Sequence, residues 1–126
     1  MQASFFLFMY KFKMKKAEEG LKTFIKAFEY WRERLCPEFD VTYKLADIAE
    51  YAAVEYQLGT GTAEVVLSEK HAESIDYELR KTAFEEASHL AFSEIRELLE
   101  GMYSRDFIDL VEHRVINKYK SILIKG

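Results

Sequence analysis

From Lys15 to Leu35 the apolar residues fall at Leu21, Phe24, Ile25, Phe28, Trp31 and Leu35, in steps of three and four with charges between them. That spacing puts an apolar stripe along one side of an amphipathic helix. Cys36-Pro37 should stop it, because the residue before a proline avoids helical geometry. The pattern then changes. VTYKLADI (41–48) and EYAAVEYQLG (50–59) carry the aromatic and β-branched enrichment of strands, GTG (59–61) marks a turn, and TAEVVLSE (62–69) predicts a third strand. Helical spacing returns after Ser74 and Asp76, both candidate N-caps, and predicts one long helix to about Leu99. Gly101 is expected to end it in a left-handed conformation. A last helix is expected over Arg105 to Ile124, with Phe107, Leu110, Val111, Val115 and Ile122 as its apolar positions. The order helix, three strands, helix, helix reads as an α+β domain with helices covering one face of a small sheet.

The start of the chain breaks this scheme. ASFFLFMY (3–10) is apolar but too short to span a bilayer, and it lacks the flanking residues of a signal peptide. Met14 opens MKKAEEGLKTF, an ordinary helical start. Residues 1–13 are therefore expected to be an extension or an extra, fourth strand on a single domain of residues 14–126.

Composition narrows the classes. With 126 residues, 49% of them hydrophobic and 15% aromatic, the chain can bury one core. A net charge of −4 with both signs interspersed disfavours a nucleic-acid partner, which needs a basic stripe. The single cysteine, Cys36, cannot close an intrachain disulfide and is expected to be a small buried or loop residue and not a nucleophile, in keeping with a reducing, cytoplasmic setting. His71 is expected to be solvated at a loop or helix entry, Trp31 to make a core or helix–sheet contact, and Tyr51, Tyr56 and Tyr77 to cover the sheet or line a groove.

The candidate chemistry lies in TAFEEASHLAF (82–92). Its EEASH differs by one residue from an HExxH zinc-protease motif, in which two imidazoles four apart ligate zinc and the glutamate between them polarises the bound water. In that register Glu86 and His89 match, and Glu85 stands where an imidazole belongs. VEHRV (111–115) places Glu112 and His113 on the last helix, where an antiparallel packing could bring them to Glu85 and His89. Phe92, apolar beside these polar residues, hints at such a second contact. Spacing alone leaves a plainer reading open: Glu85 and His89 as a solvated i, i+4 pair worth a few tenths of a kcal/mol.

Taken in order, FEYWRERL (28–35), EYAAVEYQLGTGTAEVVLSE (50–69), ELRKTAFEEASHLAF (78–92) and VEHRVINKY (111–119) resemble the small phage- and prophage-encoded zincin-like metallopeptidase family. The resemblance covers residues from about 20 to 124. It implies a minimal zincin: an N-terminal helix, a small sheet ending in an edge strand, a motif helix and a closing helix. It also implies His89 as a metal ligand, Glu86 as the general base, Glu112 as the third ligand, and His113 as an outer or alternative ligand. Glu85, where the family has histidine, leaves one nitrogen and two carboxylate ligands. Such a set suits manganese, magnesium or calcium better than a zinc-protease site does. The expectation is no metal, or a weakly bound divalent ion (zinc or manganese).

Three functions follow: a degenerate, inactive zincin-like protein with a binding or scaffold role; an active metal-dependent peptidase using Glu86; or a small phage interaction protein that binds a host factor in the host cytoplasm. The expected partner is a protein or peptide, with homodimerisation through Phe5–Tyr10 equally open, and no nucleic acid or membrane span.

Overall fold

The computed structural model describes residues 2–124. The first helix, α1 (Gln2–Leu35), leads into strands β1 (Asp40–Ala46), β2 (Ala52–Gln57) and β3 (Thr62–Ser68). A 3-10 turn at His71–Glu73 precedes α2 (Asp76–Ala91), α3 (Ser93–Leu99) and α4 (Arg105–Leu123). This is an α+β fold with helices at both ends of the chain around a three-stranded sheet.

Residues 2–13 are neither a strand nor a separate element; they are the first turns of α1. The physical reason is visible in the sequence: ASFFLFMYKFKMKK contains no Gly, Pro or β-branched residue. Extending an existing helix costs far less than nucleating one, so the packed second half of α1 propagates outward.

The sheet order is β1-β3-β2, with β1 parallel and β2 antiparallel to β3. The expected edge strand β3 is therefore the centre, and β1 and β2 are the edges. Burial explains this. Ala63, Val65 and Leu67 alternate inward on β3 and are almost fully covered, while the inner residues of β1 and β2, Ala52 apart, are half-buried, as at Tyr43, Leu45 and Val54. The outer face stays polar, with Lys44 paired to Glu64 at 3.1 Å.

α1 and α2 cover the inner face. Phe24 and Phe28 of α1 and Leu79, Ala83, Ala87 and Leu90 of α2 meet Val65 and Leu67 in one apolar core. Cys36 lies in it, and burial pushes its thiol up to about 11, too high for a nucleophile at neutral pH. Tyr43 ties the layers together by donating to Glu29 Oε2 at 2.5 Å, where Arg32 also bonds at 2.6 Å.

The long helix expected from residue 76 to 99 kinks at Phe92 (φ −80°, ψ −4°), though Phe92 N–H still bonds Ser88 O at 3.0 Å. Phe92 packs there against Phe84, Ile116 and Ile124. Beyond the kink, Ile95 and Leu98 are exposed. Neither Ser74 nor Asp76 caps α2, since Ile75 holds that position without a side-chain bond. Gly101 is not left-handed; the only positive-φ residue described is Gly61, at the β2–β3 turn. Met102 and Tyr103 N–H close on Leu99 O instead.

His71 is buried, not solvated. Tyr51 stacks on its ring at a 4.1 Å centroid separation. Its Nε2 lies 2.8 Å from Thr82 Oγ1. The Thr82 hydroxyl already donates to Glu78 O, so His71 Nε2–H must be the donor. Burial lowers its pKa and keeps it neutral.

Candidate functional site

α4 runs back along α2, beginning at Ser104, whose Oγ accepts from Phe107 N–H at 3.2 Å as a helix cap. The antiparallel run brings Glu112 to His89, and Lys120 to Glu85 one turn earlier on α2. Glu112 is 7% exposed, and both of its oxygens are engaged. Oε1 lies 3.2 Å from His89 Nδ1, and Oε2 accepts from Arg96 Nη1 at 2.9 Å. Arg96 continues the network to Asp109 (2.6 Å) and Glu100 (3.3 Å). Glu85 stands apart from it, held by Lys120 Nζ at 2.5 Å. His113 is exposed and donates Nδ1–H to Asp109 O at 2.8 Å, its ring centroid 5.0 Å from that of His89.

The charges of the pair follow from this geometry. Burial works to lower the His89 pKa, but the hydrogen bond and negative charge of Glu112, helped by Glu86 and Glu85, raise it overall. Burial would raise Glu112, yet His89 and then Arg96 hold it below the ordinary carboxylate value. Each group thus favours the charged form of the other across the α2–α4 contact.

Glu86 behaves differently. It accepts no hydrogen bond and forms no ion pair among the described residues. Burial, reinforced weakly by Glu85 and opposed by His89, pushes its carboxyl up to about 7.

This has a measurable consequence. The folded state binds a proton that the unfolded chain releases above about 4.5, so stability falls as pH rises from there through about 7. Glu86→Gln removes that penalty. It is expected to stabilise the protein by about 2–3 kcal/mol at pH 8 and by almost nothing at pH 4, read from urea unfolding. Equal effects at the two pH values would show that the carboxyl is not desolvated.

Of the expected site residues, then, His89 and Glu112 meet directly and His113 lies beside them. Glu85 is drawn off by a lysine, and Glu86 has no partner. As these groups stand, a divalent ion implied by the resemblance does not fit them: the Glu112 oxygens already face a guanidinium and an imidazole. No three His, Cys, Asp or Glu side chains among the described residues form a group that could hold a metal ion. Sequence reasoning missed Arg96, Asp109 and Lys120. Arg96, seven residues after His89 on the same helical side, was the one available signal.

Beside this cluster, an apolar hollow of about 350 Å³ lies between the end of α1, α2 and α4. Trp31, Phe84, Phe92, Ile116, Tyr119 and Leu123 line it, with Trp31 set edge-on to Phe84 at 4.9 Å. No protein-family model, curated protein or solved structure matches this chain.

Proposed function

We propose that this chain is a zincin-like protein of the phage- and prophage-encoded type in which an ionic latch stands in place of the catalytic centre, leaving a binding or scaffold role. The observation that carries this reading is the double engagement of Glu112 by Arg96 and His89. In a metal site the carboxylate and the imidazole would share a cation. Here they neutralise each other, and a guanidinium supplies the remaining positive charge. A partner's apolar side chains would then find the hollow beside Trp31 and Phe84. Elemental analysis of protein purified without chelators tests the reading. Zinc and manganese are expected well below one per chain, and stoichiometric metal that disappears in Glu112→Ala would overturn it.

One observation favours a second reading, an active hydrolase. Glu86 is a half-buried carboxyl poised near neutrality with no partner, which suits a general acid or base. On that reading Glu86→Gln abolishes cleavage of a broad peptide panel while leaving metal content unchanged. Wild-type protein that cleaves nothing with zinc or manganese added would eliminate it.

A further inference from the structure

The first turns of α1 carry a run of uncovered apolar side chains. Phe5, Phe6, Leu7, Phe8, Tyr10 and Phe12 are each more than half exposed, whereas a large apolar side chain normally finds cover. They do not form one face. At about 100° per residue they cover roughly 260° of the circumference, leaving only a narrow sector to Ser4, Lys11 and Lys15. A partner helix or groove would cover one side and leave the rest wet. A surrounding apolar medium covers all of it.

The charges beside them choose that medium. Residues 1–16 contain four lysines, Lys11, Lys13, Lys15 and Lys16, and no acidic residue. With 18 Lys and Arg against 22 Asp and Glu in the chain, the remainder carries 14 against 22, a formal charge of −8. The apolar tip is thus followed by a cationic collar on an otherwise acidic protein. Nine helical residues, Ser4–Phe12, reach about 13 Å, roughly the depth of part of one leaflet. No helix among the described residues is long and apolar enough to cross a membrane. Ala17, the first buried residue of α1 among the described side chains, begins the folded body just past the lysines.

We infer that the N-terminal end of α1 docks the protein on an anionic lipid surface. Phe5–Tyr10 enter the acyl boundary, and Lys11–Lys16 lie among the phosphate headgroups. Apolar insertion and a basic cluster are the two signals that stable peripheral attachment requires.

Flotation of the full chain with vesicles tests this. Vesicles of phosphatidylcholine with about one-third phosphatidylglycerol should bind it about tenfold or more better than phosphatidylcholine alone, and high salt should weaken that preference. Phe5→Ser/Phe8→Ser should lose binding to both vesicles, and Lys11→Glu/Lys13→Glu should lose the anionic preference. All four side chains are exposed, so unfolding midpoints should stay at the wild-type value and exclude misfolding as the cause. Absence of vesicle binding by the wild-type chain would overturn the inference. So would a solution dimer that Phe5→Ser/Phe8→Ser dissociates while neither vesicle is bound.

Discussion

Gly20→Ala is expected to cost about 4 kcal/mol or to prevent folding altogether. A Cβ at this position would stand 1.7 Å from the Ala72 carbonyl oxygen and 2.7 Å from its carbon. Both are backbone atoms of the 3-10 turn that precedes α2, so no side-chain rotation can relieve the contact. In an isolated helix the same change would stabilise by about 1 kcal/mol through propensity. The sign is therefore set by packing alone. Gly101→Ala is the matched control: nothing lies within 4 Å of its Cβ, and its φ is not positive, so a change within about 0.5 kcal/mol is expected. Urea unfolding followed by circular dichroism measures both. A neutral Gly20→Ala would mean that α1 and the 71–73 turn do not touch at this point.

Arg96→Met should cost about 2–3 kcal/mol near neutral pH, because it strands the buried Glu112 carboxylate with His89 as its only cation. Arg96 is itself partly exposed, which keeps the figure below that for a fully buried pair. Adding Glu112→Leu should recover most of the loss, since the uncompensated charge is then gone.

The pH dependence has a definite sign. Glu112 is lowered in the folded state, so its contribution is complete above about 4.5 and disappears as pH falls through its folded value. His89 is raised, so its contribution is complete below about 6.5 and disappears as pH rises through its folded value. With Arg96 removed, the charge on His89 matters more, and the penalty should be larger at pH 9 than at pH 6. A penalty independent of pH would mean that His89 does not share in the latch.

The pair His89–Glu112 was legible as two motifs that an antiparallel return could join. What each motif partner does was not legible. A glutamate four residues before a histidine shares its helical side whatever the neighbouring helix brings. Here that helix brings Lys120 to Glu85 and leaves Glu86 without a partner. Arg96 shares the helical side of His89, but its partners Asp109 and Glu112 come from α4, so its role was fixed only by that packing. His71 read as a loop residue because its cover, Tyr51 and Thr82, comes from segments far along the chain.

Periodicity and punctuation in the chain were enough for most of the elements: the three-and-four spacing of α1 past residue 14, the stop at Cys36-Pro37, three strands near their observed limits, and α4 from Arg105. Such signals act within a few residues, so one chain carries them in full. The central place of β3, the closeness of Gly20 to Ala72 and the partners of each site carboxylate were decided by the tertiary structure. Each depends on which surfaces meet across long sequence separations, and burial, steric exclusion and charge pairing exist only once those surfaces are in contact.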